Sequence, residues 1–332
     1  MSLFNRLHPS HVEGRLPGFD GATGWLNSEP LTPEGLRGKV VLVDFLTYTC
    51  INWLRTLGYV RAWAEKYKDQ GLVVIGVHTP EFPFERRVDN IRWALAEDRI
   101  EYPVAIDSNY GVWQAFANHY WPAAYIADAE GRIRHHHFGE GAYEECERVV
   151  QQLLREAGRD DDADDLVSVA EEGFQAQADW QTLRSPETYL GYEQAQNFGS
   201  PGRARLDESQ DYIVPDDLRL NQWALSGTWT IERGASVLTG AKGSLAFRFH
   251  ARDVNVVLGP PARGMMSVPF RVTVDGAPPG DAHGFDTDAA GNGIVDRQRL
   301  YQLVREPGKI RERTFEITFQ GRGVETYVFT FG

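Results

Sequence analysis

The feature that most constrains the fold is a short apolar run that leads to a cysteine. Residues 40–45 are apolar and rich in β-branched side chains apart from Asp44, and a polar turn connects them to Cys50. Such a run predicts a buried strand, and the amphipathic pattern of residues 51–68 predicts a helix. We therefore expect Cys50 at a strand-to-helix junction, where backbone N–H groups and the helix dipole stabilise a thiolate.

The first half of the chain has the pattern of an α/β domain. From residue 38 to about residue 158, short apolar runs alternate with amphipathic stretches, as in a sheet with crossover helices. We predict strands at residues 40–45, 72–78, 104–107, 123–128 and 132–138, and helices at residues 51–68, 84–98, 110–118 and 143–157. Ligands of such sheets bind where the parallel strands end, which here is near Cys50 and His78.

The second half is different in character. Short alternating runs separated by turns rich in Gly, Pro, Asp and Asn begin near residue 218, a pattern typical of an antiparallel sandwich. We predict strands within residues 229–231, 244–250, 254–258, 270–274, 314–319 and 326–331. An acidic run at residues 160–165 and a polar stretch with helical propensity at residues 170–177 precede them. The chain is therefore divided into residues 1–158, an acidic linker with a short helix at residues 159–182, and residues 183–332.

Composition excludes several classes of function. A net charge of −13 repels phosphate backbones, so we expect no nucleic-acid partner. No apolar run approaches the roughly 18 residues that a membrane helix needs, and the first fifteen residues lack a signal-peptide core. We expect a cytoplasmic protein, or an extracytoplasmic one if a longer chain was trimmed. Two cysteines do not make a disulfide scaffold, and no cofactor is expected.

Two groups of motifs connect the chain to a known family. Asp44 precedes Cys50 by six residues, and a Tyr-Trp-Pro-Ala sequence spans residues 120–123. Residues 39–158 thus resemble thioredoxin-fold domains of the TlpA and ResA type. The resemblance implies that Pro122 is a cis proline facing Cys50, and that the backbone beside Trp121 pairs with an extended substrate.

The rest of the chain extends this resemblance. Motifs at residues 185–192, 223–227 and 299–303 are similar to those of the soluble C-terminal half of the DipZ family of membrane electron transporters. That half consists of a thioredoxin domain and a jelly roll similar to a carbohydrate-binding module. The resemblance implies an α/β thioredoxin fold followed by an all-β jelly-roll sandwich domain.

Three residues depart from the family pattern around Cys50. Trp53 occupies the position of the second cysteine in Cys-x-x-Cys, Leu46 replaces a tryptophan, and Thr49 replaces an aromatic residue. In dithiol relatives the aspartate at the position of Asp44 is thought to help deprotonate the second thiol. Here Asp44 would face an indole, so it is either a buried remnant or acts on Cys50 through water.

A single cysteine allows two related reactions. Cys50 can exchange with a protein or small-molecule disulfide, or reduce a peroxide through a sulfenic acid, and an external thiol must then complete the cycle. The spacing of Thr47 and Cys50 resembles the Thr-x-x-Cys of peroxiredoxins, although Val43 stands where that motif has proline. The side chains expected to support Cys50 are Asp44, Thr47, Thr49, Asn52, Trp53, Trp121 and Pro122, and His78 and Glu81 either tune it or line a loop.

The alternative is a redox-inactive binding protein. In this interpretation Cys50 is a small buried residue left over from an active ancestor. The loop at Pro122 would recognise a peptide or protein, and the jelly roll would bind a glycan or a protein partner. Apolar burial around Cys50 would favour this second reading, because it disfavours a thiolate.

The remaining motifs have simpler explanations than binding chemistry. The spacing of Cys146 with neighbouring apolar residues predicts a helix core face. His135, His136 and His137 are expected on a partly exposed strand rather than at a metal, and residues 286–292 in a turn rather than a calcium loop. Five large aromatic residues are expected in a core rather than on a sugar-stacking platform: Tyr189, Tyr192, Trp223, Trp229 and Tyr301.

Overall fold

The structure is a computed structural model that describes residues 11–159, 165–170, 173–261 and 267–332. The chain forms two compact units, Met1–Ala170 and Glu171–Gly332. The first unit is α/β and the second is all-β, as the sequence predicts.

The first unit contains a seven-stranded sheet. Its strands are β1 (Gly14–Arg15), β2 (Gly24–Leu26), β3 (Val40–Leu46), β4 (Leu72–His78), β5 (Val104–Ile106), β6 (Ala123–Ala127) and β7 (Arg132–Phe138). The α-helices of this unit are α1 (Ile51–Tyr67), α2 (Val88–Glu97), α3 (Gly111–Ala115) and α4 (Tyr143–Glu156). The strand order is β1-β7-β6-β3-β4-β5-β2. Strand β3 is parallel to β4 and antiparallel to β6, so it lies at the centre of the sheet.

The burial of β3 explains its composition. All seven of its residues are buried, as expected for a central strand covered on both faces. Val41, Val43 and Phe45 belong to one apolar core cluster. Asp44 and Leu46 alternate with them and therefore lie on the opposite face of the sheet. An aspartate is thus held in the middle of an apolar strand.

The predicted helices were too long at two places. The predicted helix at residues 84–98 is a 3-10 helix, Pro83–Arg86, followed by α2, because Arg87 between them has extended backbone angles. The predicted helix at residues 110–118 is only Gly111–Ala115, since Tyr110 and Ala117 both adopt left-handed backbone angles with φ of 62° and 48°. The short edge strands β1 and β2 were not predicted.

The second unit is built from antiparallel strands. They are β8 (Thr188–Tyr189), β9 (Ser209–Tyr212), β10 (Trp223–Ile231), β11 (Ser236–Phe249), β12 (Asp253–Gly259), β13 (Val268–Val274), β14 (Asn292–Val295), β15 (Arg299–Arg305), β16 (Arg313–Phe319) and β17 (Glu325–Phe331). The main strand order is β14-β13-β16-β11-β17-β12-β15, with β10 beside β11. Each predicted run lies largely within one of these strands, and the strands enclose an aromatic core.

Strand β11 joins two groups of strands. Its C-terminal part, from Gly243 to Phe249, pairs with β16, whereas Ser236 and Val237 at its start pair with β17. It also pairs with β10, where Gly227 lies opposite Gly243. A Cβ atom on Gly243 would lie 2.8 Å from the carbonyl oxygen of Ser226, so a larger residue does not fit there. These glycines sit inside paired strands rather than in turns, which is why β10 and β11 are longer than predicted.

The predicted linker, residues 159–182, is only partly described. Residues 160–164 of the acidic run and residues 171–172 lie outside the described residues. Within the predicted short helix, Gly173–Gln175 form one turn of 3-10 helix. The linker as a whole stays a prediction.

Candidate active site

Cys50 lies at the junction of β3 and α1, as predicted. The polypeptide turns after β3, and the Cys50 N–H donates to the carbonyl of Thr47 at 3.1 Å. Cys50 is the N-cap residue of α1, with extended backbone angles, and its carbonyl accepts the N–H of Leu54 at 3.0 Å. The residue is half-buried, and its sulfur is a thiol rather than part of a disulfide. The sulfur therefore belongs to a half-buried residue at the start of a helix.

The Trp121–Pro122 segment lies beside this sulfur. The peptide bond between Trp121 and Pro122 is cis, as the family resemblance implied. The Sγ atom of Cys50 lies 3.8 Å from the carbonyl oxygen of Trp121, a distance at which the thiol donates a weak hydrogen bond. The carbonyl of Pro122 accepts the N–H of Gly139 at 2.9 Å, which ties this loop to the end of β7.

Trp53 fills the position of the missing second cysteine. Its indole nitrogen donates to Oδ2 of Asp44 at 2.9 Å, and both side chains have no exposed surface. The other oxygen of Asp44, Oδ1, has no hydrogen-bond partner among the described residues. Burial raises the pKa of Asp44 to about 7, and the hydrogen bond from Trp53 offsets part of this rise.

A glutamate that the sequence reasoning missed lies next to this loop. Thr49 donates its hydroxyl to Oε1 of Glu85 at 2.6 Å, and Glu85 has no exposed surface. Oε2 of Glu85 accepts the backbone N–H groups of Glu81 at 2.7 Å and of Phe82 at 2.9 Å. Burial raises the pKa of Glu85, and the hydrogen bonds that its carboxylate accepts oppose this rise.

A sequence signal for Glu85 exists but is incomplete. A glutamate three residues into a helical turn commonly accepts the N–H of the residue that starts the turn. Glu85 does so with Phe82, but phenylalanine is not one of the residues that mark a helix start. Because Phe82 stands at the first position of the turn, the sequence did not indicate this role for Glu85.

His78 and Glu81, the two residues predicted to tune Cys50, make contacts of different kinds. His78 ends β4 with no exposed surface, stacked on Tyr48 with ring centroids 5.6 Å apart. Burial lowers the pKa of His78 to about 3, so its imidazole is neutral near pH 7. Glu81 contributes its backbone N–H to Glu85. Of the other predicted supporting residues, Asn52 lies half-exposed in the first turn of α1, and its carbonyl accepts the hydroxyl of Thr56 at 3.0 Å.

A cleft adjoins the aromatic side of the site. The ring of Trp121 lies 4.3 Å from that of Trp113, centroid to centroid, and Trp113 also contacts the ring of Tyr110. Trp113 and Tyr110 line a cleft of about 450 Å³. The rest of its lining is Asn109, Gln114, Ala117, Asn118 and His119. This volume is within the range of small-molecule sites.

Cys146 lies in a core, as predicted. It is 2% exposed on α4, with its Sγ atom 3.8 Å from Nε2 of His135. Burial raises the pKa of Cys146 to about 12, so this sulfur is a neutral thiol near pH 7. The neighbouring histidines have separate partners, since His136 contacts Glu13 at 2.6 Å and His137 contacts the carbonyl of Glu140 at 3.3 Å.

The aromatic residues of the second unit are mostly core residues. Trp223, Trp229 and Tyr301 have no exposed surface, which confirms the predicted core role for these three. Tyr189 and Tyr192 are half-buried. In the segment considered for calcium, both oxygens of Asp288 accept hydrogen bonds from Asn292, and Asp286 pairs with Arg299 at 2.7 Å.

Metal-binding clusters and membrane-spanning helices are both absent from the described residues. No group of three or more His, Cys, Asp or Glu side chains in the described part of the chain is arranged to hold a metal ion. No helix within the described ranges is both long enough and apolar enough to cross a membrane.

Comparison with known proteins gives one family-model match and several relatives. Residues 185–332 match the family model described as thioredoxin like C-terminal domain. Protein DipZ of Mycobacterium tuberculosis is 39% identical over 251 residues, which are 74% of this chain and 35% of DipZ. The chain thus spans about a third of the length of that relative.

Two shorter proteins match this chain over almost their whole length. Thiol-disulfide oxidoreductase YkuV of Bacillus subtilis is 30% identical over 141 residues, which are 42% of this chain and 95% of YkuV. A thioredoxin-like protein solved in its oxidised form is 32% identical over 43% of this chain and 96% of its own, with a TM-score of 0.40. On the identity to YkuV and the coverage of its length, the chain belongs to the thioredoxin-like family of thiol-disulfide oxidoreductases.

Proposed function

We propose that this protein is a thiol-disulfide oxidoreductase that uses Cys50 as its single reacting cysteine and an external thiol to complete each cycle. One observation carries the proposal. Cys50 is a half-buried residue at a helix start, with its sulfur beside the Trp121 carbonyl, whereas the usual position of its partner holds a buried tryptophan. Helix N-termini stabilise thiolates, and thiolates are the nucleophiles of disulfide exchange.

The proposed cycle has two exchange steps. The Cys50 thiolate attacks one sulfur of a disulfide, forms a mixed disulfide with it and releases the other sulfur as a thiolate. The thiolate of a low-molecular-weight or protein thiol then attacks the substrate sulfur of that mixed disulfide. The external thiol and the substrate sulfur are released together as a new disulfide, and Cys50 is restored as a thiolate. The cleft beside Trp113 and Tyr110 offers space for a small disulfide or thiol near the Trp121 loop.

A peroxide is the second substrate class for the same sulfur. The Cys50 thiolate would attack one peroxide oxygen, become a sulfenic acid and release the other oxygen as an alcohol or water. One external thiol would then form a mixed disulfide with Cys50 and release water, and a second would release Cys50 as a thiolate. Thr47, whose spacing from Cys50 suggested this reaction, has a buried hydroxyl that makes no hydrogen bond within the described residues.

Turnover of a disulfide tests the proposal. We would measure reduction of a mixed peptide disulfide and of hydrogen peroxide, each with excess small thiol, for the unaltered chain, Cys50→Ser and Cys146→Ser. We expect turnover in the unaltered chain and in Cys146→Ser, and none in Cys50→Ser. Mass spectrometry should find the substrate adduct or the oxidised sulfur on Cys50.

The result that contradicts the proposal is a Cys50 that forms no adduct with any disulfide or peroxide. In that case the competing function, redox-inactive recognition of a peptide or protein at the Pro122 loop, is favoured. Binding of a partner that is equal in the unaltered chain and in Cys50→Ser would support it.

We also propose that the second unit binds a glycan or protein partner. A cleft of about 500 Å³ in this unit is lined by Pro186, Glu187, Thr188, Tyr189, Glu193, Gln194, Gln196 and Asn197. Carboxylates, amides and one half-buried tyrosine ring are groups that sugar hydroxyls and sugar ring faces can contact. Affinity electrophoresis in polysaccharide gels, with Gln194→Ala and Tyr189→Ala as variants, tests the glycan. Equal mobility of all three proteins in every gel would leave the protein partner as the proposal.

A further inference from the structure

The buried carboxylate of Glu85 connects the two loops that meet at the site. One loop, after β3, contains Thr49 and leads to Cys50, and the other, after β4, contains Glu81 and Phe82. Oε1 of Glu85 accepts the Thr49 hydroxyl at 2.6 Å, and Oε2 accepts the two backbone N–H groups at 2.7 and 2.9 Å. Both oxygens are therefore used, and each bonds a different loop.

The second loop is itself anchored. The hydroxyl of Tyr110, at the start of α3, donates to the carbonyl of Pro80. Asp107, just before α3, accepts the hydroxyl of Thr79 at 3.1 Å and the N–H of Val112 at 2.9 Å. Glu85 thus attaches the Cys50 loop to a loop that is fixed to the rest of the sheet. A buried carboxylate is costly unless its oxygens are hydrogen-bonded, and here one of its three hydrogen bonds comes from the residue before Cys50.

We propose that Glu85 is a positioning residue for Cys50, and that it acts through the Thr49 hydroxyl to hold the sulfur against the Trp121 carbonyl. This inference rests on the function proposed above, since it concerns the reactivity of the same sulfur. A small shift of a nucleophile away from its reacting geometry lowers the rate constant more than it lowers affinity.

The chain allows the hydrogen bond to be removed from either side. Glu85→Ala removes the acceptor, and Thr49→Val removes the donor while keeping the shape of the side chain. In Glu85→Gln the amide oxygen can accept the two backbone N–H groups while its NH₂ donates to the Thr49 oxygen, so the connection between the loops is kept. Thr49→Ser keeps the hydroxyl and serves as the conservative variant.

Glu147 offers a matched control. It is a second buried carboxylate of the same unit, 1% exposed, and it accepts the indole N–H of Trp63 at 3.1 Å and the hydroxyl of Tyr67 at 2.6 Å. These partners lie in the second half of α1, away from Cys50. Glu147→Ala should therefore reduce stability without altering the reactivity of Cys50.

The experiment measures kcat and KM for disulfide reduction, the rate of Cys50 alkylation at pH 7, and the free energy of unfolding for each variant. We expect Glu85→Ala and Thr49→Val to lower kcat and the alkylation rate by about tenfold, with KM changed less than twofold. In Glu85→Gln and Thr49→Ser, kcat and the alkylation rate should stay within about threefold of those of the unaltered chain. In Glu147→Ala both rates should equal those of the unaltered chain, although its free energy of unfolding is lower. If Glu85→Ala does not fold, Thr49→Val measures the same hydrogen bond.

Failure of the positioning role and failure of the proposed function would give different results. Unchanged kcat and alkylation in Thr49→Val and Glu85→Ala, with the unaltered chain active, would overturn the positioning role alone. An unaltered chain whose Cys50 reacts with no disulfide would instead overturn the proposed function.

Discussion

The indole nitrogen of Trp53 donates a 2.9 Å hydrogen bond to Oδ2 of Asp44 in the centre of the first unit. An indole N–H donates a hydrogen bond but neither accepts one nor releases its proton near neutral pH. The residue in the place of the second cysteine is therefore a structural partner of Asp44 rather than a proton donor to it. This contact uses Oδ2 of Asp44, and its Oδ1 has no hydrogen-bond partner among the described residues.

Loss of the indole N–H should weaken the first unit. Trp53→Phe keeps most of the buried ring but leaves Asp44 Oδ2 without its donor, which should reduce the free energy of unfolding by about 1–3 kcal/mol. Urea denaturation monitored by circular dichroism measures the change. Alkylation of Cys50 should stay within about twofold, because the indole does not hold the sulfur. A stability equal to that of the unaltered chain would show that the hydrogen bond contributes nothing.

Asp44 should make stability fall with rising pH. Its pKa is raised by burial from 3.8 to about 7, so the folded chain keeps a proton that the unfolded chain releases between these values. The stability advantage of Asp44→Asn should therefore grow from about pH 4 to pH 7, on the order of 1 kcal/mol per pH unit, and level off above that. Asp89→Asn, at an exposed position of α2, is the control. A stability difference between Asp44→Asn and the unaltered chain that does not vary with pH would contradict the raised pKa of Asp44.

The two cysteines should differ sharply in reactivity. Cys50 is half-buried, whereas Cys146 is 2% exposed and its pKa is raised by burial to about 12. Iodoacetamide at pH 8 should modify one cysteine in the native chain and two in urea. Peptide mapping identifies the modified residue. Labelling of Cys146 at the rate of Cys50 under native conditions would be incompatible with the packing described.

A methyl group should not fit at Gly76. The residue lies opposite Asp44 in the β3–β4 pair, and a Cβ atom there would lie 2.9 Å from Leu46 Cδ2 and 3.2 Å from Tyr102 Cε2. Gly76→Ala should lower the free energy of unfolding by about 1–3 kcal/mol. Gly14→Ala, where no atom lies within 4 Å of the added Cβ, should be close to neutral in the same denaturation experiment. Equal stability of the two variants would show that the neighbours of Gly76 shift to accommodate the added methyl group.

The sequence predicted the part of the site that depends on local pattern. The β-branched run of β3 and the helix pattern after Cys50 specify the strand-to-helix junction, and alternation along β3 places Asp44 on the face toward Trp53. The partnership of Thr49 with Glu85 depends on a contact between residues 36 positions apart, which no periodicity reveals. The neutrality of His78 likewise comes from complete burial, which depends on the packing of the whole sheet.

Strand β11 has a consequence for how the second unit opens. Because one strand supplies backbone hydrogen bonds to β16 at one end and to β17 at the other, neither group of strands can separate while β11 stays in place. Amide protons of β11 should therefore exchange with solvent only in a global event, at rates shared with the aromatic core. The second unit is therefore expected to unfold in a single cooperative step. No partly unfolded form in which either group of strands has detached is expected.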